Sequence, residues 1–410
     1  MTMTLHASAL RLMTAAVFFL PLSAARAVEP ADEPPAASAP ADQAPSYGRE
    51  TQRATLDAAR RYADIAASGG WPRIAHPLGP KSQGKPVEAL RRRLALEGYL
   101  TEDEAHDGGG EWDDALVDAV KRFQANMGLE QTGDVSRATL RELNAPPAAR
   151  ARALQASAER LSRMRFRFGD RYVAVNIPAT SVEAVEGDEL HAHYTAIVGG
   201  KKDPSPQIVA RIVTIDVNPA WTVPATIIRK EFLPKLKRNP AFLARQHIRV
   251  LDGRGHEINP ARLRRLSAAR AARFTFRQDP GPHNSLGSLR ISMPNKDAVY
   301  MHDTPTKQLF DRDYRFLSHG CVRVEGVYDL AAWLLGPNQR GWDKAALRDL
   351  VEEGRTEKIK LRHPTPVAWV YMTGWATGDG PAHFRRDIYD LDRGAQPPRG
   401  GRGEGGVAIR

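Results

Sequence analysis

Ala298-Val-Tyr-Met-His302, followed further on by Ser318-His-Gly-Cys-Val-Arg323, is the stretch on which the fold turns. The first run is short and rich in β-branched and aromatic residues, sits behind Pro294-Asn295, and ends on a histidine, which predicts a strand. The second holds the only cysteine of the chain and precedes a predicted helix over 325–335, stopped by Gly336-Pro337. A strand end and a helix start can meet at one edge of a sheet, so the imidazole of His302 and the thiol of Cys321 can pair although 19 residues separate them. Working outward, Tyr172-Val-Ala-Val-Asn-Ile177, His193-Tyr-Thr-Ala-Ile-Val198, Arg211-Ile-Val-Thr-Ile-Asp-Val217 and Ser288-Leu-Arg-Ile-Ser292 read as further strands. An Arg/Lys-rich insertion over 225–275, expected to be helical, interrupts them. Insertions of that length usually cover a functional site.

Upstream the period changes. Val87, Leu90 and Leu94, then Trp112, Leu116, Val120, Phe123 and Met127, recur at helical spacing, and Ser136 is placed to cap a third short helix. The expected architecture is therefore α+β: a β-rich domain over 166–392 with a helical capping insertion, and a helical scaffold over 51–165 that includes a small three-helix unit at 87–144. Residues 28–50 are rich in Pro and Ala and read as a linker, and 393–410 as a disordered Gly/Arg tail. Arg11, the apolar run 12–22 and Ala25-Arg26-Ala27 have the layout of a signal peptide over 1–27, so export is expected with no membrane anchor after cleavage.

In an exported chain a single cysteine excludes an intramolecular disulfide and makes the thiol conspicuous. Net charge is +11 with a sequence pI near 9.8, which for an exported protein points to an anionic polymer, a membrane surface or a solvated basic surface rather than to nucleic acid. A histidine and an arginine beside Cys321, with a helix start nearby, all favour the nucleophilic thiolate. Gly320 permits a turn that aims backbone N–H groups at a developing oxyanion. Cys plus a His held by a third group is the general nucleophile, base and orienter arrangement. His191 and His193 form an H-x-H pair, but a strand face explains them better than a metal, since no complementary ligand motif accompanies them.

Met301-His302-Asp303-Thr304-Pro305 with Ser318 to Arg323 is similar to the signature of the bacterial L,D-transpeptidases. Gly281-Pro-His-Asn-Ser-Leu-Gly287, Val217-Asn-Pro-Ala-Trp-Thr-Val-Pro224 and Phe384-Arg-Arg-Asp-Ile-Tyr389 resemble the large Gram-negative murein type. Ala119-Val-Lys-Arg-Phe-Gln124 resembles the peptidoglycan-binding domain often attached to it. The resemblance implies that Cys321 is the acyl-enzyme nucleophile and His302 its base, oriented by the main-chain carbonyl of Asp303. It further implies that His319 and Gly320 shape the oxyanion region, and that Tyr300, Ser318, Arg323 and Trp221 meet substrate. Its implied partners are peptidoglycan stem peptides, a tetrapeptide donor and an acceptor stem, handled by a monomeric periplasmic enzyme with neither metal nor organic cofactor. The expected product is a 3→3 cross-link. The alternatives are an L,D-carboxypeptidase using water as acceptor and a catalytically silent peptidoglycan-binding protein. A papain-like hydrolase fits less well, because there Cys precedes His in the chain.

Overall fold

The computed structural model describes residues 44–394, apart from 240, 260–262, 264–266, 337–340 and 379. The expected signal peptide, most of the linker and all but the first two residues of the tail lie outside the described residues. The linker expectation fails where it can be examined. Ser46 and Tyr47 are buried, the amide and hydroxyl of Ser46 both donate to the Glu183 carboxyl at 2.9 Å, and the Tyr172 hydroxyl donates to the Tyr47 carbonyl. Tyr47 also packs against Phe166 and Phe168, so aromatic burial outweighs the extended bias of the preceding prolines.

Helices open the described chain. α1 (Thr51–Ala67) packs along α6 (Pro147–Arg163), and between them lie α2 (Lys85–Ala95), α3 (Glu102–Asp107), α4 (Asp114–Asn126) and α5 (Arg137–Leu143). Val87, Leu90 and Leu94 of α2 face Leu116, Val120 and Phe123 of α4, each at most 1% exposed, as the sequence period requires. Ser136 caps α5 by accepting from the Thr139 amide at 3.2 Å. The small unit holds four helices rather than the three expected. The extra one, α3, is set by a capping box in which Thr101 and Glu104 satisfy each other's backbone N–H.

This helical core contains an ion pair, Arg93 with Glu97, both side chains fully buried. Tyr62 donates to Glu97 at 2.8 Å, Arg93 donates to the Leu143 carbonyl, and its guanidinium lies 3.6 Å from the Trp71 ring centre. Glu97→Ala strands a buried guanidinium, so we expect a loss of about 3–5 kcal/mol of unfolding free energy, read as a drop in the urea midpoint. A loss below about 1 kcal/mol would mean that water reaches the pair.

The β-rich part runs β1 (Arg171–Asn176), β2 (Ser181–Glu186), β3 (Glu189–Gly199) and β4 (Ile208–Val217). The insertion follows: β5 (Trp221–Thr222), α7 (Ala225–Ile227), a π-helical turn Ile228–Phe232, α8 (Leu233–Arg238), α9 (Phe242–Arg245), β6 (Ile248–Leu251), α10 (Ala268–Ala271) and β7 (Thr275–Gln278). It is not wholly helical as expected, because β5, β7 and β6 form a small antiparallel sheet under its helices. Then come β8 (Leu289–Ser292), β9 (Met301–His302), β10 (Phe316–Ser318), β11 (Val322–Val324), α11 (Val327–Leu335), α12 (Lys344–Glu352), β12 (Glu357–Val370), β13 (Gly374–Trp375) and β14 (His383–Phe384).

The main sheet has the order β10-β3-β11-β9-β8-β4-β12-β1-β2, and β2 also pairs with β3, so the sheet closes on itself. One face buries Val173, Ile215, Ile291, Met301, Val322 and Val324 against α11 and α12. Two expectations change here. The strand over 298–302 shrinks to Met301–His302, and α11 starts at Val327, after β11 has intervened. Cys321 therefore lies on a strand-entry turn rather than at a helix N-terminus, and the helix dipole, which acts within the first turn, does not reach it.

Candidate active site

β11 runs parallel to β9 with Val322 opposite Met301 and Arg323 opposite His302, while β8 runs antiparallel with Arg290 opposite His302. Side chains two apart on a strand share a face. Met301 and Val322 point into the core, so Cys321, Arg323, Tyr300, His302 and Arg290 are brought together on the opposite face. Arg290 is held there by Asp216, its Nε donating at 2.8 Å, and Ser292 donates to the same carboxylate oxygen at 2.7 Å.

His302 is 5% exposed, and its Nδ1 lies 2.5 Å from the main-chain carbonyl of Asp303. A carbonyl only accepts, so the bond requires Nδ1–H and leaves Nε2 with a lone pair. The Leu286 backbone also faces the ring. Burial first, then the positive charge of Arg323, lower the pKa of His302 to about 3. The imidazole is therefore a neutral base throughout the physiological range. The Asp303 side chain has a different task. Its carboxylate accepts from the amides of Thr304 (2.6 Å) and Ser288 (2.9 Å) and from Lys307 (2.5 Å), fixing the strand end that carries the carbonyl. Gly287 turns beneath it at φ +61°, where a Cβ would collide with that carboxylate.

Cys321 is half-buried. Burial pushes its thiol up from the ordinary range, opposed by the backbone amide and hydroxyl of Tyr300 and by the charges of Arg323 and Arg290, all of which favour the anion. The resting pair is thus thiol and neutral imidazole, whereas the sequence suggested a ready thiolate. Trp221 belongs to the apolar cluster of the insertion, and Tyr300 packs against it. Trp221 and the sulfur of Cys321 both act on the Tyr300 hydroxyl, which links the cap to the sulfur.

The turn before Cys321 is tightly specified. The Ser318 hydroxyl donates to the Cys321 carbonyl at 2.5 Å and accepts from the Gly320 amide at 3.2 Å, and the Gly320 carbonyl accepts from Ser205 at 2.8 Å. Gly320 has φ +110°, a conformation closed to other residues without strain. Its amide is used inside the turn. Among the described residues, the amides of His319 and Cys321 donate to no protein acceptor, which leaves two N–H groups beside the sulfur. The His319 ring instead reaches Glu231 of the π-helical turn, Nε2 to Oε1 2.5 Å. Arg323 is half-buried, and its Nε finds no hydrogen-bond partner among the described residues.

Sequence reasoning missed Arg290, Glu231 and Leu286. Arg290 was recoverable, since it sits at the outward position of the run 288–292 whose alternation was already visible. Glu231 carried no local signal, because its partner is 88 residues away.

The family described as the L,D-transpeptidase catalytic domain (YkuD) matches residues 170–378, just over half of the chain, and a peptidoglycan binding domain matches residues 83–143. The chain belongs to the L,D-transpeptidase family. A Haemophilus influenzae protein, itself only provisionally assigned as an L,D-transpeptidase, is 32% identical over 221 residues, covering 54% of this chain and 44% of that protein. The chain thus spans less than half the length of that relative. Among solved structures, an L,D-transpeptidase from Stackebrandtia nassauensis aligns with 14% identity and a TM-score of 0.27 over 73% of this chain and 96% of its own. One from Mycobacterium smegmatis aligns with 14% identity and 0.25 over 49% and 58%. The family assignment rests on the domain match.

Proposed function

We propose that this protein forms 3→3 cross-links in peptidoglycan through a Cys321 thioester, acting in the periplasm after export. The observation that carries the reading is the strand register that puts Cys321, His302, Tyr300 and Arg323 on one face, with the Asp303 carbonyl at Nδ1 of His302. In the first step the Cys321 sulfur attacks the carbonyl carbon of the third residue of a tetrapeptide stem. Its proton passes to His302, the C–N bond breaks, and D-alanine leaves with that proton. The oxyanion meets the free amides of Cys321 and His319, while Tyr300 steadies the sulfur. In the second step a side-chain amine of a neighbouring stem attacks the thioester, His302 takes its proton, and the thiol is restored. Arg323, whose charge lies on the same face as Cys321, is the group for a donor carboxylate. Every proton and bond balances without a cofactor. The helical unit is the wall-binding module of the same enzyme.

The test is mass spectrometry of muropeptides after incubation of purified tetrapeptide stems with the enzyme. Dimers with the 3→3 linkage and released D-alanine are expected. D-alanine release with tripeptide monomers alone would make the protein an L,D-carboxypeptidase, and no change in the stems would favour the silent binding protein.

A further inference from the structure

The charge of the chain is not scattered. Residues 225–275 contain thirteen Arg and Lys against three Asp and Glu, a net +10, which leaves the rest of the chain near neutrality at +1. The three acids are already engaged. Glu231 meets His319 and Lys235, Asp252 holds a turn through the amides of Arg254 and His256, and Glu257 faces Arg249. Arg229, Lys237, Arg238, Arg245, Arg254, Arg270 and Arg273 are all exposed and have no acidic partner among the described residues. Elsewhere among the described residues some exposed cations find acids, as Arg49, Arg60, Arg92 and Arg355 do, and others such as Arg73, Arg152 and Lys202 do not, so density of charge is what sets the cap apart.

The same insertion is attached to the site. Glu231 pairs with His319, Lys230 pairs with Asp203 on the neighbouring loop at 2.5 Å, and Trp221 with Tyr300 forms the wall beside the sulfur. Arg229 opens onto a cleft of about 250 Å³ between the π-helical turn and α10, with Ile228, Leu233, Ala271 and Phe274 behind it. Concentrating like charge in one insertion costs self-repulsion, and its use is to attract a polyanion.

We propose that the basic face of the cap is a docking surface for a carboxylate-bearing wall polymer, gripping the stem peptides next to the one that reacts at Cys321. The inference rests on the reaction proposed above, because the stems are what supply the carboxylates. A lipid surface fits less well. Among the described residues, none of the exposed large apolar side chains, Leu96, Val209, Tyr314 and Leu391, lies on the cap, whereas interfacial binders add such anchors to their charge.

The experiment compares the full chain with the K237Q/R238Q/R270Q/R273Q variant, all four positions exposed and none among the groups that act on the thiol. Retention on purified sacculi is measured at graded salt, alongside turnover of a soluble tetrapeptide stem and binding to vesicles of phosphatidylglycerol and phosphatidylethanolamine. Retention of the variant should fall about tenfold at low salt, and the difference should vanish near 1 M salt, where charges are screened within about 3 Å. Turnover of the soluble stem should match wild type. Equal retention of both proteins at low salt overturns the proposal, as does a charge-dependent loss seen on vesicles and not on sacculi. If the wild-type protein turns over no soluble stem while sacculus retention still depends on these four charges, the docking surface stands and the reaction assignment falls.

Discussion

Cys321→Ala should abolish turnover of tetrapeptide stems while leaving the fold intact. In the reaction proposed above, the sulfur supplies the electron pair for the new bond to the acyl carbon. The substitution removes one atom from a half-buried position that only borders the core, so a stability change within about 1 kcal/mol is expected. Intact-mass measurement during turnover should show an acyl adduct on the native chain and none on the variant. 3→3 dimers formed by the alanine variant at any rate above background would remove Cys321 from the mechanism.

His302→Ala should slow acylation by about 10²–10⁴-fold, the usual contribution of a positioned general base. The pH profile separates this role from a merely structural one. A solvated histidine loses its basic nitrogen below pH 6.5, but burial and Arg323 hold His302 near a pKa of 3. Native acylation should accordingly show no acid limb near pH 6.5. Because burial raises the thiol, the unassisted variant should gain rate only as pH climbs past the ordinary thiol range. An acid limb near 6.5 in the native enzyme, or a variant as fast as wild type at neutral pH, would exclude the assignment.

Most strands were legible because β-branched residues alternate along them, and the faces of α2 and α4 because their apolar spacing follows the helix. The site residues were legible as types in a motif. Their environment was not. The three-residue β11 is too short to leave a periodic signal, so Cys321 was placed one element too close to α11, and the desolvation that raises its thiol depends on a cap whose packing is long-range. The Ser46–Glu183 contact spans 137 residues, and nothing in a Pro/Ala-rich stretch announces it. Thr101 and Glu104 form a capping box that the sequence displays but that went unread, so α3 came as an addition.

The path of the chain between the helical unit and the sheet has a mechanical meaning. Ser46 and Tyr47 dock on the sheet before the helices begin, and Phe384 and Ala382 return from beyond the sheet into the helical core. There Arg385 donates to the Asn126 carbonyl at the end of α4. The helical unit is thus clasped from both ends of the catalytic fold, with buried side chains where a hinge would have to be. If the proposed function holds, a pull on a glycan strand bound at the helices would reach the sheet as torque through these buried contacts. The distance and angle at which the next stem meets Cys321 would then be set by the protein's own frame, in the manner of a gauge sliding along a cable.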